Sequence, residues 1–116
     1  MRHILFNLIA CDRDKINNRI FVEESIICAA TKSKSILLGI KSHKFEPQGV
    51  TAVALLAESH ISIHTWPEMG LAICDVFTCG KECEPMDAAL YLKEVLCAED
   101  IDFTVVDRNE LLINCS

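Results

Sequence analysis

Hydrophobic residues run along this chain in two distinct rhythms. In the segment His60-Ile61-Ser62-Ile63-His64-Thr65, Ile61 and Ile63 alternate with polar neighbours, and a period of two marks a strand with one dry face. Strands are predicted on this and related patterns over 3–10, 35–43, 50–57, 60–65, 71–79 and 102–106. The run 50–57, Val-Thr-Ala-Val-Ala-Leu-Leu-Ala, is apolar almost throughout, which predicts a strand buried on both faces. Helical spacing appears twice. Ile16, Ile20, Ile27 and Ala30 mark one face of a helix over 13–31, with Asp12 placed to cap it. Met86, Ala89, Leu90 and Leu96 mark the inner face of a second helix over 85–98, entered through Pro85. Pro and Gly cluster at 45–49 and 67–70, so turns are expected there, the second joining two strands as a hairpin-like pair.

The order strand, helix, four strands, helix, strand predicts an α+β fold, a two-layer sandwich of a mainly antiparallel sheet with both helices on one face. Such a sheet leaves its other face bare. Because strands 50–57 and 71–79 carry apolar residues on both faces, that bare face is expected to bury against another subunit.

A length of 116 residues makes residues 1–116 a single domain. The net charge of −6, with eleven scattered Lys and Arg, argues against nucleic acid or an anionic membrane as partner, since phosphate binding needs a basic stripe. Leu8-Ile9-Ala10-Cys11 has the outline of a lipoprotein cleavage box, but the apolar run before it is short and broken by Asn7, so a buried first strand is expected. No other segment approaches the roughly 18 apolar residues of a membrane span. The cysteines at 11, 28, 74, 79, 83, 97 and 115 are odd in number and mostly fall in predicted strands and helices, as reduced thiols of a cytoplasmic protein would. Cys79 and Cys83 lack a second ligand pair, and no metal is expected.

Reactive side chains concentrate in residues 58–80. Ser59 beside His60 lacks the Gly-x-Ser-x-Gly elbow of many serine hydrolases. Cys79 with His64 or His60 would make a thiol nucleophile or proton donor if their strands adjoin, and would otherwise be core packing. Taken together, Ala57-Glu58-Ser59-His60, His64-Thr65-Trp66-Pro67-Glu68 and Phe77-Thr78-Cys79-Gly80 resemble the prokaryotic S-adenosylmethionine decarboxylase proenzymes, whose motif runs close to ESHxxIHTWPExGxxxxDxFTCG.

The resemblance implies a self-processing enzyme. Cleavage would fall between Glu58 and Ser59, leaving a β chain 1–58 and an α chain 59–116 that begins with a covalent pyruvoyl group made from Ser59. His64 and Thr51 would assist processing, Thr51 standing where the family typically has Ser. The pyruvoyl ketone would form a Schiff base with a small-molecule substrate, and Cys79 would return the proton after CO₂ leaves. Glu68 would bind the ribose hydroxyls, and Phe45 or Trp66 would face the adenine or the sulfonium. The product would be the aminopropyl donor for spermidine synthesis. The resemblance also implies a homodimer of αββα layers with sites at or near its interface. Asn7, Ser42 and Met69 depart from the family pattern, so a pyruvoyl-dependent decarboxylase of arginine or ornithine stays open, as does a non-catalytic regulatory homologue. One condition is internal to the sequence: the odd spacing of Ser59 and His64 puts them on opposite faces of a strand unless the chain bends near Ser59.

Overall fold

The computed structural model describes residues 1–79 and 83–108. Its elements in chain order are β1 Arg2–Ile9, α1 Arg13–Ile16, α2 Arg19–Lys32, β2 Leu37–Lys44, β3 Val50–Leu56, β4 Ser59–Trp66, a 3-10 turn Pro67–Met69, β5 Leu71–Thr78, α3 Pro85–Val95 and β6 Asp100–Asp107. The six strands form one sheet in the order β2-β3-β4-β5-β1-β6, and every neighbouring pair is antiparallel. Helix α2 packs across β2, β3 and β4 while α3 packs on β1 and β5. This is the predicted two-layer α+β sandwich.

The core lies between the helices and the inner face of the sheet. Ile4, Phe6 and Leu8 of β1, Ile61 and Ile63 of β4, and Ala72, Cys74 and Val76 of β5 are buried there against Val22, Ile26, Ala29, Ala89 and Leu92. Removing each large aliphatic side chain from water stabilises the fold by about 1.5–3 kcal/mol.

Three expectations change. The helix over 13–31 is two helices, because Asn18 turns extended and caps α2 through Phe21 N, while Asp12 caps α1 through Asp14 N and Lys15 N. The break shifts the helical phase. Ile20 is therefore 53% exposed, and the inner face is carried by Val22, Ser25, Ile26, Ala29 and Ala30. In α3, Leu90 likewise points outward and Ala88, Ala89 and Leu92 point inward. Within one chain β3 is buried on its inner face only: Val50, Ala52, Ala54 and Leu56 are buried, whereas Val53 and Leu55 are 41% and 58% exposed on the outer face.

Candidate active site

The sequence-predicted residues fall into two groups at opposite ends of β4. The first surrounds a cavity of about 390 Å³ lined by Phe45, Gln48, Gly49, Thr51, His64, Thr65, Trp66 and Glu68. Thr51 of β3 stands opposite His64 of β4 in the ladder, and the Thr51 hydroxyl lies 3.0 Å from His64 Nδ1. Buried Thr65 holds the floor, accepting from Val50 N and donating to the Ile16 carbonyl, both at 2.8 Å. The rim is fixed by Gly49, whose N–H donates to Asn17 Oδ1 at 2.9 Å. At φ 109, with Thr65 O only 3.2 Å from where a Cβ would stand, position 49 favours glycine. His43 packs edge-on against Phe45 with ring centroids 4.6 Å apart. Gly70, at φ 61, then turns the chain from the 3-10 segment into β5.

The second group is Glu58, Ser59 and Cys79. Glu58 occupies the left-handed region at φ 63, a conformation that costs a non-glycine residue on the order of 1 kcal/mol. Its carbonyl oxygen accepts a hydrogen bond from the Cys79 thiol at 2.9 Å. The Ser59 hydroxyl lies 3.4 Å from the Ala57 carbonyl oxygen. A residue in a costly backbone conformation, an adjoining hydroxyl and a thiol directed at the carbonyl oxygen are groups that an acyl shift at such a bond can use. These residues fit a pyruvoyl group made at position 59.

The bend falls at Glu58, ahead of Ser59, so it does not bring Ser59 to His64. Five strand residues at ~3.3 Å each put the two about 16 Å apart. Their ladder partners also point to opposite faces: Ser59 pairs with buried Leu56, and His64 pairs with Thr51. Within one chain they do not meet. Asn7, Ser42 and Met69 do not line the cavity. Ser42 instead bonds Glu23 of α2, and Met69 projects outward from the 3-10 turn.

Local patterning gave no sign of a third cluster, on the outer sheet face. Asp75 Oδ2 lies 2.7 Å from both His3 Nε2 and His60 Nε2, and Ser62 donates to Asp75 Oδ1. The Arg108 guanidinium lies 3.1 Å from His3 Nδ1. Since guanidinium can only donate, His3 Nδ1 accepts and its Nε2 carries the proton given to Asp75. Burial pushes the Asp75 carboxyl up, but the bonds from Ser62, His3 and His60 outweigh it and leave the pKa below the ordinary value. The ligand-type atoms of His3, His60 and Asp75 lie within 4.8 Å of one another. With Asp75 already accepting three hydrogen bonds and a guanidinium beside His3, they form a hydrogen-bond network.

The thiols divide by environment. Burial, reinforced by nearby Cys97, pushes Cys11 up to about 11, and burial raises Cys74 well above its usual value. Cys83 lies 3.5 Å from the Lys34 carbonyl, away from the bond that Cys79 makes to Glu58. The six described cysteines are unpaired by disulfides, and Cys115 lies outside the described residues.

A single antiparallel sheet with helices on one face, a cavity lined by Thr51 and His64, and a thiol held on the carbonyl of a left-handed residue define a small α+β protein. The comparisons with known proteins are specific. The S-adenosylmethionine decarboxylase family model matches residues 2–109, and the chain belongs to that family. It is 43% identical over 107 residues to an S-adenosylmethionine decarboxylase proenzyme of Caldicellulosiruptor saccharolyticus, covering 92% of this chain and 86% of that one. Identity to the proenzyme of a Synechococcus strain is 48% over 95 residues, 82% of this chain and 74% of the relative. The crystal structure of the adenosylmethionine decarboxylase from Aquifex aeolicus superposes with a TM-score of 0.82 at 40% identity, covering 90% of this chain and 87% of that one. Among the described residues no helix is long and apolar enough to cross a membrane.

Proposed function

We propose that this protein cuts itself between Glu58 and Ser59 and then decarboxylates S-adenosylmethionine. The observation that carries the reading is the 2.9 Å contact from the Cys79 thiol to the Glu58 carbonyl oxygen, beside a hydroxyl that can attack the same carbonyl. Attack by Ser59 Oγ forms the C–O bond and breaks the C–N bond, converting the amide to an ester. The thiol donates to the oxygen while it carries negative charge, the role of an oxyanion-hole donor. Removal of the Ser59 α-proton then expels the carboxylate of residues 1–58, and water replaces the resulting enamine nitrogen as ammonia, leaving a ketone. That ketone supplies the electron sink on which an α-amino acid can lose its carboxylate as CO₂.

This chain's own residues account for the rest. Cys79, already beside residue 59, is placed to return a proton to the substrate α-carbon. In the cavity, Glu68 can accept from two ribose hydroxyls, and the faces of Trp66 and Phe45 suit a sulfonium cation. Such a ribose-binding carboxylate has no evident purpose for arginine or ornithine, and Asn7, Ser42 and Met69 lie outside the cavity, so neither alternative is favoured.

The two halves of the site belong together only if two copies combine. The outer sheet face exposes Leu5, Val53, Leu55 and Ile73, an apolar surface of the kind that packs against a second sheet. Pairing these faces gives a homodimer of αββα layers in which the second copy's Thr51 and His64 serve the Glu58–Ser59 bond of the first. Unpaired thiols suit a reducing, cytoplasmic setting. Mass spectrometry of the purified protein tests the processing step. Two chains, 1–58 and a blocked 59–116, are expected, with Ser59→Ala remaining whole; a wild-type chain that stays intact after long incubation rules processing out.

A further inference from the structure

Cleavage between β3 and β4 removes the covalent link that holds the start of β4, yet the reacting group must then stay beside Cys79. The ladder gives little help. Ser59 pairs with Leu56 on one side, but pairing with β5 begins only at His60, opposite Phe77. Leu56 is itself two residues from the new carboxyl end, and freed chain ends fray unless tied down. The first residue after the cut held on both sides is His60.

Its side chain is where the outer-face network begins. His60 Nε2 donates to Asp75 Oδ2 at 2.7 Å, and His3 Nε2 of β1 donates to the same oxygen at 2.7 Å. Ser62, two residues along β4, donates to Asp75 Oδ1. Arg108, just past β6, fixes the tautomer of His3. Asp75 and Cys79 lie on one continuous stretch, four residues apart. The carboxylate thus straps the start of β4 to the segment that carries the thiol, and braces both against β1.

Resting on the processing reading above, we propose that Asp75, with His60 and His3, is a positioning device for the new N-terminus: it holds residue 59 against Cys79 once the Glu58–Ser59 bond is gone. None of the three touches the reacting atoms. The network matters after cleavage, because before it the peptide chain itself fixes residue 59. A role confined to fold stability would act equally in both states.

The test uses the full chain in both states. Asp75→Asn, His60→Ala and His60→Gln are prepared on the wild-type background and on the uncleavable Ser59→Ala background. Gln places an amide N–H near the position of His Nε2, so it is the conservative replacement. Cleavage is read by mass, kcat and KM by CO₂ release from S-adenosylmethionine, and backbone hydrogen exchange at residues 60–62. Asp75→Asn and His60→Ala should still cleave, lose about tenfold or more in kcat with KM within about twofold, as misplacement of a reacting group implies, and exchange faster at 60–62 only in the cleaved chain. His60→Gln should recover most of the loss. Unchanged kcat, or exchange that rises equally in the uncleaved background, overturns the proposal while leaving the processing reading standing. A wild-type chain that never cleaves overturns both. Should Asp75→Asn fail to fold, the His60 pair decides alone.

Discussion

If His64 acts on the Glu58–Ser59 bond of a second copy, two inactive variants should rescue each other. Ser59→Ala cannot be cut but keeps its imidazole; His64→Ala keeps its cleavable serine but lacks the imidazole. Within one chain the imidazole and the serine are separated by five strand residues, about 16 Å at ~3.3 Å per residue, against the roughly 3 Å that proton transfer requires. Neither variant should cleave by itself. In a hybrid dimer one complete site remains, made of Ser59 and Cys79 from the His64→Ala chain with Thr51 and His64 from the Ser59→Ala chain. Random pairing makes about half of the dimers hybrid, so about half of the His64→Ala chains should be cut, roughly a quarter of the wild-type number of sites. Co-expression with two different tags, tandem purification and quantification of the 59–116 piece by mass spectrometry provide the assay. His64→Ala chains that stay uncut in a purified hybrid would refute the shared site, as would normal cleavage of His64→Ala alone.

Other outcomes follow from single contacts. Thr51→Val keeps the shape but removes the hydroxyl 3.0 Å from His64 Nδ1; losing about 1 kcal/mol of hydrogen bond should slow cleavage some fivefold, with Thr51→Ser restoring it, as read from a time course of cut chain. Cys79→Ala removes both the donor to the Glu58 carbonyl and the proton source, so cleavage should slow and CO₂ release should fall by about 10²-fold or more; a variant impaired in neither would reassign the thiol. Asp75 has a lowered pKa, so its stabilising contribution is present above the ordinary carboxylate value of ~3.9 and is lost as pH falls through its depressed folded value. Denaturant unfolding of the cleaved Asp75→Asn protein should accordingly show a deficit of about 2 kcal/mol near neutral pH that narrows only in strong acid, and a deficit independent of pH would count against the network.

Much of the fold was legible because its signals are local. The alternation of His60, Ser62 and His64 with Ile61 and Ile63 places β4 and assigns its faces, and Pro85 and Asp12 mark helix starts that the structure keeps. The misreadings have local causes too. Two adjacent asparagines, Asn17 and Asn18, hold a cap signal that splits the first helix and rotates Ile20 to the surface. In β3 the exposed Val53 and Leu55 are as apolar as the buried Ala52 and Ala54, so no alternation shows in the sequence. The Asp75 network was illegible for another reason. It joins β1, β4 and β5, and β1 sits beside β5 only through the sheet order, which no short-range pattern encodes. The separation of Ser59 from His64, by contrast, was implicit in their odd spacing, which puts them on opposite faces of a strand; the structure supplies the missing fact that the bend lies at Glu58.

The proposed reaction is tested most directly by CO₂ release from the processed protein supplied separately with S-adenosylmethionine, arginine and ornithine. Release is expected from S-adenosylmethionine alone, abolished in Ser59→Ala and weakened in KM by Glu68→Gln. Release from arginine or ornithine with none from S-adenosylmethionine would contradict it and would recast Glu68 as the partner of a distal guanidinium or ammonium.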